Sequence, residues 1–360
     1  MRRAAIVGTG AIAAAHAESL RALGDRVELV AVADVDGERA AAFAKEWGVP
    51  RAHPGLAELL RAERLDLVHV CTPPRHHVPI ALDCLAADVH VLVEKPPALS
   101  LSEVDLLVEA ERASAGRVAT VFQHRFGPAA IRLRRMAAEG VLGRSLVAKC
   151  DTLWYRGDAY FEVPWRGTWD SEGGGPTMGH GIHQFDLLLS ILGPWSEIRA
   201  LAARQARAVQ TEDVSMALVT FADGTVASVV NSLLSPRETS ELRFDFERAT
   251  VEVEHLYGYT DAHWAITPAP GHDDVAASWR EKPSGVVSGH RWQLAAVLDA
   301  LDSGEPPPVT LADTRITMEF IAALYASAFT GTVVKAGDIG PDDPFYKSME
   351  GAGAPWADAR

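Results

Sequence analysis

The sequence predicts an α/β domain with a doubly wound parallel sheet, followed by an α+β domain with a largely antiparallel sheet. Strand and helix patterns alternate through the first third of the 360-residue chain, which indicates repeated βαβ units. Beyond residue 125 strands follow one another without intervening helices, which favours antiparallel pairing. We therefore divide the chain into residues 1–123, residues 124–340 and a turn-rich tail, residues 341–360.

The elements of the first domain follow from apolar segments separated by helical patterns. The predicted strands are 4–7, 27–34, 65–72, 89–94 and 117–122, and the predicted helices are 38–47, 56–64 and 78–87. A ligand of a doubly wound sheet lies beyond the carboxyl ends of its strands. We therefore expect one crevice to be lined by the residues at those ends, namely Gly8, Asp34, Thr72, Glu94, Lys95 and Gln123.

The second domain is predicted from a helix at residues 128–139 and six alternating segments. These strands are 146–155, 198–205, 214–221, 225–232, 242–247 and 250–256. Asp223-Gly224 between two of them is a hairpin signal. Two further helices, 289–301 and 311–330, flank a run of three prolines.

Composition excludes several classes of function. Lys plus Arg is 34 and Asp plus Glu is 48, and the net charge of −14 disfavours nucleic acid and anionic membranes as partners. The three cysteines show no metal-ligand spacing and suit reduced thiols. No apolar run reaches the ~18 residues of a membrane span, and Arg2 and Arg3 pass directly into the first strand. We expect a soluble, cytoplasmic protein.

The first strand ends in a loop typical of dinucleotide binding. In Gly8-Thr9-Gly10-Ala11-Ile12-Ala13, Gly8 permits the tight turn and Gly10 permits close approach to a pyrophosphate. Asp34 closes the second strand, where a carboxylate binds a ribose hydroxyl and repels a 2′-phosphate. The loop therefore predicts NAD, with NADP left open because Arg39 lies nearby. A Rossmann domain without a nucleotide is the alternative.

A second glycine-rich loop leads into a helix that carries two histidines and an aspartate. The segment runs from Gly173 through His180 and His183 to Asp186. At ~100° per residue these three polar side chains fall on one face, opposite an apolar face. A histidine in a first turn favours the neutral ring, which accepts a proton. A buried histidine bonded to Asp186 remains the alternative interpretation.

These motifs together resemble the glucose–fructose oxidoreductase, inositol dehydrogenase and MocA (Gfo/Idh/MocA) family. The resemblance rests on Gly8-Thr-Gly10, Thr72-Pro73…His77, Glu94-Lys95-Pro96, Gln123…Arg125-Phe126 and Gly173-Gly-Gly…His183…Asp186. It implies a Rossmann domain, a C-terminal domain with an open, mainly antiparallel sheet, and NAD- or NADP-dependent chemistry on sugars, polyols and related molecules.

The resemblance also implies roles for individual residues. It suggests that Lys95 binds the reacting oxygen and the cofactor ribose and that the Lys95–Pro96 bond is cis, while His183 is the general acid or base. The residues expected at the cofactor are Gly8, Thr9, Gly10, Ala11, Ile12, Asp34, Thr72, Pro73, His77, Glu94, Lys95 and Gln123. His77 is expected to be structural, and His16 to be a packing residue.

The chain departs from the family pattern four residues before the histidine. The family often has an aspartate there, whereas this chain has Gly179. His180 could replace part of that function, and Asp186 could orient His183. Aromatic and guanidinium groups that suit a sugar surface are Trp154, Arg156, Tyr160, Trp165, Arg166 and His180. We expect no metal, since the histidine pair lacks further ligands at a recognisable spacing.

We interpret the chain as a dehydrogenase or reductase that acts on a secondary alcohol or carbonyl of a sugar, polyol or sugar derivative. Two alternatives stay open: an NAD-dependent glycoside hydrolase that works by transient oxidation and elimination, and a non-catalytic NAD(P)-binding sensor. We also expect a homodimer or homotetramer joined through the open sheet face. Leu146, Val214, Val226, Val229 and Phe244 are expected on that face.

Overall fold

The computed structural model describes residues 1–279 and 285–357, and these form two compact units. The first unit comprises Met1–Val121 and His290–Arg315, and the second comprises Phe122–Gly289 and Ile316–Arg360. No helix of the described residues is long and apolar enough to cross a membrane. The three cysteines are free and buried.

The first unit contains a six-stranded parallel sheet. Its strands are β1 (Arg2–Val7), β2 (Val27–Ala33), β3 (Arg51–His53), β4 (Leu67–Val70), β5 (His90–Val93) and β6 (Val118–Thr120). They pair in the order β3-β2-β1-β4-β5-β6, so the connection reverses between β1 and β4. The predicted Rossmann fold is confirmed. β3 was not predicted because three partly exposed residues carry no apolar pattern.

Five helices connect these strands, and the second, third and fourth lie close to the predicted residues 38–47, 56–64 and 78–87. They are α1 (Ala13–Ala22), α2 (Gly37–Trp47), α3 (Leu56–Ala62), α4 (His77–Ala86) and α5 (Leu101–Arg112). The core of the unit is made by small and branched side chains such as Ile6, Leu20, Val32 and Leu92. Because β1 is buried along Ala4–Val7, the glycine loop that follows begins inside the unit.

The second unit contains a mostly antiparallel sheet, as predicted, but with eight strands instead of the six predicted. Its strands are β7 (Ser145–Tyr155), β8 (Trp195–Ala203), β9 (Val214–Phe221), β10 (Val226–Ser232), β11 (Leu234–Phe246), β12 (Ala249–His255), β13 (Trp264–Pro268) and β14 (Val334–Lys335). The order is β13-β12-β11-β7-β10-β9-β8-β14, and the neighbours β7 and β10 are parallel. β13 and β14 were not predicted, and β14 has only two residues.

The remaining helices follow the chain through the second half of the sequence. They are α6 (Pro128–Ala138), α7 (Trp169–Glu172), α8 (Ile182–Leu192), α9 (Asp273–Trp279), α10 (His290–Ser303), α11 (Leu311–Thr330) and α12 (Pro344–Lys347). The tail is thus not wholly irregular, because it includes α12. Its last three residues, 358–360, lie outside the described part of the chain.

The segment His290–Arg315 lies in the first unit, although the sequence division places it in the second domain. Leu294, Val297 and Leu298 of α10 are buried in the same core as Ala13, Ala17 and Leu20 of α1. This apolar contact with α1 holds the helix on the Rossmann sheet. A linear division of the sequence cannot show such a return of the chain.

One face of the second sheet exposes apolar side chains. Along β9, Met216 and Leu218 are 45% and 66% exposed, whereas their neighbours Ala217 and Val219 are buried. Val226 is 49% exposed and pairs with Val147, which is 46% exposed. We call Val147, Leu201, Met216, Leu218 and Val226 the apolar sheet face.

The membership predicted for this face was partly wrong. Val226 is exposed and Val214 is half-buried. Leu146 is exposed, but it directly precedes Val147 in β7 and therefore points to the opposite face. Val229 and Phe244 are buried. Alternation along a strand sends successive side chains to opposite faces, so the two residues point into the unit. The sequence pattern identifies the alternation but does not say which set is covered by helices.

We expect the protein to be a homodimer or homotetramer that buries the apolar sheet face, because a large exposed apolar surface is unusual in a monomer. Light scattering should give a multiple of 38.7 kDa. Leu218→Asp should shift the mass toward the monomer. Leu106→Asp changes a 55% exposed leucine of α5 in the first unit and should leave the mass unchanged. A wild-type mass near 38.7 kDa would refute the prediction.

Candidate functional site

The loop after β1 has the geometry that close approach of a ligand requires. Gly8 has a φ of +89°, and a Cβ there would lie 2.8 Å from backbone atoms of Cys71 and Thr72. A Cβ on Gly10 would meet no heavy atom within 4 Å. The positive φ and the neighbouring backbone therefore require glycine at position 8. In contrast, Gly10, Ala11 and Ile12 border open space at the start of α1.

Asp34 lies beside this loop and is hydrogen bonded to it. The backbone N–H and hydroxyl of Thr9 donate to Oδ2 of Asp34 at 2.8 and 2.9 Å. Arg39 donates from Nη2 to Oδ1 at 2.6 Å and from Nε to Oδ2 at 3.1 Å. Burial raises the pKa of Asp34, but the bonds from Arg39, Thr9 and Asp36 outweigh it and hold the pKa at about 2. Asp34 is therefore an anion at neutral pH.

We expect NAD to bind more tightly than NADP, because the Asp34 anion repels a 2′-phosphate. Arg39 opposes this preference, since its side chain is 51% exposed and can turn toward a phosphate. Arg39→Ala should therefore weaken NADPH binding by about tenfold and leave NADH binding within a factor of about three. Arg61→Ala, an exposed arginine of α3, is the matched control. A lower dissociation constant for NADPH than for NADH in the wild type would contradict the expectation.

The ends of β4 and β5 carry the next predicted residues. Thr72 and Pro73 follow β4, and Oγ1 of Thr72 is buried without a hydrogen-bond partner among the described residues. Nε2 of His77 lies 2.8 Å from the Thr72 carbonyl oxygen and Nδ1 lies 2.7 Å from that of Pro96. Burial lowers the pKa of His77. The Lys95–Pro96 bond is cis, and His77 links the two turns.

Glu94 lies at the centre of a contact that sequence reasoning missed. His16 of α1 and His290 of α10 each approach Oε1 of Glu94 within 2.9 Å through Nε2. His16 was expected to be a packing residue, and it is buried, but its ring nitrogens are hydrogen bonded. No local pattern could have shown this contact, because His290 lies 196 residues from Glu94.

The histidine segment of the second unit is less regular than predicted. Thr177–Gly181 forms a π-helical turn, and α8 begins at Ile182. This turn changes the angle between His180 and the residues of α8, so the single polar face expected from ~100° per residue does not extend back to residue 180. His183 and Asp186 are 2% and 0% exposed, so both faces of α8 are covered.

The glycines before this turn allow close packing around Glu212. A Cβ on Gly175 would overlap the backbone oxygen of Glu212, and one on Gly174 would overlap the hydroxyl of Tyr325. The buried Glu212 carboxyl accepts from the N–H groups of Gly175 and Thr177 at 3.0 and 3.1 Å and from the Tyr325 hydroxyl at 2.8 Å. These bonds hold the segment Gly175–Thr177, which leads into α8, in place.

His183 is surrounded by rings. The His124 ring stacks on it with centroids 5.0 Å apart and 20° between the planes, and Tyr257 meets it edge-on at 5.5 Å. His255 meets His124 at 5.2 Å, and burial lowers the pKa of His255 to about 4. No sequence pattern indicated a role for His255 or His124, yet both belong to this ring cluster.

Asp186 is paired with an arginine from another element. Nε and Nη2 of Arg125 donate to its two oxygens at 2.8 and 2.6 Å. Arg125 belongs to the 3₁₀ turn Gln123–Phe126, so the pair ties this turn to α8. In the same turn, Nε2 of Gln123 donates to the Tyr257 hydroxyl at 3.2 Å. The bidentate pair holds the turn and the start of α8 together.

The predicted substrate residues form a connected group within the second unit. The Trp154 ring meets His180 edge-on at 4.8 Å, and the Tyr160 hydroxyl lies 3.5 Å from Nε2 of His180. The guanidinium of Arg166 lies 3.8 Å from the Tyr160 ring centre and 4.6 Å from that of Trp165.

A second guanidinium extends this group. Arg156 lies 4.8 Å from the Trp154 ring centre and 5.3 Å from that of Tyr160. The group therefore presents flat aromatic surfaces beside rigid hydrogen-bond donors.

The arginines of this group already have anionic partners. Nη1 of Arg156 lies 2.9 Å from Glu238, and Nη1 of Arg166 lies 3.8 Å from Glu172. Each guanidinium charge is thus balanced by a carboxylate. The group offers hydrogen bonds and apolar planes without an excess of positive charge.

These observations define a Rossmann-fold protein with a dinucleotide site. The glycine loop, the anionic Asp34 and the buried, unsatisfied Thr72 hydroxyl fit the pyrophosphate, ribose and polar edge of NAD. Residues 2–122 match the model of an oxidoreductase family with an NAD-binding Rossmann fold, and residues 130–252 match the GFO/IDH/MocA C-terminal domain. The chain belongs to the Gfo/Idh/MocA family of NAD-dependent oxidoreductases.

Individual relatives and solved structures align with this chain over nearly its whole length. D-glucoside 3-dehydrogenase of Escherichia coli (strain K12) is 27% identical, with 92% of this chain and 97% of the relative aligned. D-apiose dehydrogenase of Paraburkholderia graminis is 25% identical, with 96% and 92% aligned. The WlbA dehydrogenase from Bordetella pertussis, solved with NADH and UDP-GlcNAcA, has a TM-score of 0.83 and 25% identity over 92% of this chain and 98% of its own.

Proposed function

We propose that the protein oxidises a secondary alcohol of a sugar, polyol or sugar derivative, or reduces the corresponding carbonyl, with NAD. The observation that carries this proposal is His183, which is buried on α8 and meets the Tyr257 ring, and Tyr257 in turn meets Trp154 of the sugar-compatible group. When bound, NAD supplies the hydride acceptor, and the protein supplies orientation and acid–base groups.

His183 is proposed to take the hydroxyl proton during oxidation and to return it during reduction. A neutral imidazole can accept this proton. Lys95 is proposed to donate a hydrogen bond to the same oxygen, which stabilises the negative charge that develops there. In oxidation the hydroxyl proton would pass to His183, while bound NAD would accept hydride from the carbon, so that electrons and charge balance.

The balanced arginines favour an uncharged, hydroxyl-rich substrate. Arg156 and Arg166 already pair with Glu238 and Glu172, so an added carboxylate or phosphate would have to displace an anion. The relative D-glucoside 3-dehydrogenase is named for action on a glucoside, which supports a ring sugar. The WlbA structure was solved with UDP-GlcNAcA, an acidic nucleotide sugar. Acidic sugars are therefore the class to compare with neutral ones in the test.

The proposal is tested with purified protein and a panel of neutral polyols, aldoses, methyl glycosides and uronic acids, followed by NADH absorbance. We expect net NADH formation with a neutral member and weaker activity with its uronic acid. Release of the aglycone without net NADH would identify the glycosidase alternative instead. Measurable binding of NAD without turnover of any member of the panel would identify a sensor and overturn the proposal.

A further inference from the structure

A buried network of titratable side chains surrounds Glu94 in the first unit. Nε2 of His16 and Nε2 of His290 both lie 2.9 Å from Oε1 of Glu94. The other oxygen, Oε2, accepts the backbone N–H of Lys95 at 3.1 Å. The side chains of His16, Glu94 and His290 are 1%, 6% and 9% exposed. One carboxylate therefore joins two imidazoles to the backbone of Lys95.

The proton positions in this network follow from the contacts. Burial raises the pKa of Glu94, but the bonds from His16 and His290 outweigh it and hold the pKa well below its usual range. The carboxylate is an acceptor only, so both histidines present N–H at Nε2. Burial lowers the pKa of His16 and of His69. Neutral His16 then accepts at Nδ1 from Nδ1–H of His69, 2.8 Å away.

The network connects segments that are distant in sequence. His16 lies in α1, directly after the glycine loop, Glu94 follows β5, and His290 is the first residue of α10. Beyond Lys95, the Pro96 carbonyl oxygen lies 2.7 Å from Nδ1 of His77. The backbone of Lys95 is therefore held on its amino side by Glu94 and on its carboxyl side through Pro96.

We propose that His290 and His16 are positioning residues for Lys95. They hold the Glu94 carboxylate, this carboxylate holds the Lys95 amide, and the direction in which the Lys95 side chain leaves the turn is set by that bond. The inference rests on the role proposed for Lys95. A reacting group displaced by about 1 Å can lose roughly 10²-fold in rate, so the contribution of such a support is measurable.

The same three side chains could instead hold a metal ion, since their ligand atoms lie within 4.8 Å of one another. The distances favour the hydrogen-bonded state. Both Nε2 atoms approach one oxygen of Glu94 at hydrogen-bond length, with that oxygen as their common acceptor. A metal would need deprotonated Nε2 atoms at about 2.0–2.1 Å from the ion and would have to separate the three groups.

The test compares two amides that differ in reach. In His290→Gln the side-chain N–H₂ lies near the place of Nε2 and can donate to Glu94, whereas in His290→Asn it stops near the place of Nδ1. We expect His290→Asn to lower kcat by about 10–100-fold with the KM for NAD within about threefold, and His290→Gln to restore most of kcat. His90→Asn, at the opposite end of β5, is the control and should leave kcat unchanged.

Hydrogen exchange gives a readout that does not depend on activity. We expect the Lys95 amide to exchange at least about tenfold faster in His290→Asn than in the wild type, and close to the wild-type rate in His290→Gln. If Lys95→Met keeps full turnover, the proposed function of Lys95 fails, while this exchange measurement still tests the support of the turn.

Two results would overturn the inference. One is an unchanged kcat together with unchanged Lys95 amide exchange in a folded His290→Asn protein. The other is a stoichiometric zinc or other metal in the purified wild-type protein that is lost in His290→Asn, because the histidines would then be metal ligands.

Discussion

Replacing His183 with alanine is expected to lower kcat on the identified sugar or polyol by about 10²–10⁴-fold, which corresponds to about 3–5 kcal/mol of transition-state stabilisation. The imidazole is the group proposed to take the hydroxyl proton, and alanine cannot replace it. The dissociation constant of NAD should change by less than about threefold, since the glycine loop and Asp34 are untouched. Steady-state kinetics and NADH fluorescence titration measure the two quantities.

The structural cost of this change needs its own control. His183 is buried and stacks on His124 at 5.0 Å, so alanine also removes ring packing. His183→Phe keeps a ring at this position without an acid–base group and should be as inactive as alanine. His272→Ala, in a turn before α9, should retain turnover. Near-normal kcat in His183→Phe would show that the imidazole has no part in the chemistry.

The sequence predicted the Rossmann domain well because its signals are local. The buried strands of the parallel sheet are apolar runs, and β1, β2 and β5 pass directly into Gly8, Asp34 and Glu94. The argument from local apolar runs fails for β3 and β14, which have three and two residues. It also fails for α10, whose leucines pack on α1 after a long excursion of the chain.

The candidate site was predicted less completely for a similar reason. His183 and Lys95 stand in recognisable local motifs, whereas the partners of their neighbours come from remote segments. Asp186 pairs with Arg125, and Glu94 with His16 and His290, over 61, 78 and 196 residues. A periodicity argument treats each element alone and cannot supply such pairs.

A side chain could begin at position 179, where the family resemblance led us to expect an aspartate. A Cβ on Gly179 would meet no heavy atom within 4 Å, so the glycine is not imposed by crowding. The π-helical turn at Thr177–Gly181 instead places His180 against Trp154 and Tyr160. The chain therefore provides aromatic and imidazole contacts in the region where the family resemblance led us to expect a carboxylate.

Replacing Lys95 with methionine is the second change with a large expected effect, a fall in kcat of about 10²–10⁴-fold. Methionine preserves the length and apolar stem of lysine but cannot donate to the reacting oxygen. Because the backbone amide of Lys95 donates to Glu94 and methionine keeps this amide, the turn at Pro96 should survive the change.

The Kd of NAD separates this loss of chemistry from a loss of binding. It should rise by no more than about tenfold if the ammonium contributes only a hydrogen bond to the ribose. Lys95→Arg should rescue poorly, since a planar guanidinium cannot occupy the place of a compact ammonium. Lys45→Met, on α2, is the matched lysine control and should retain the wild-type kcat. A Lys95→Met protein that binds NAD and turns over at the wild-type rate would remove Lys95 from the mechanism and leave His183 as its acid–base group.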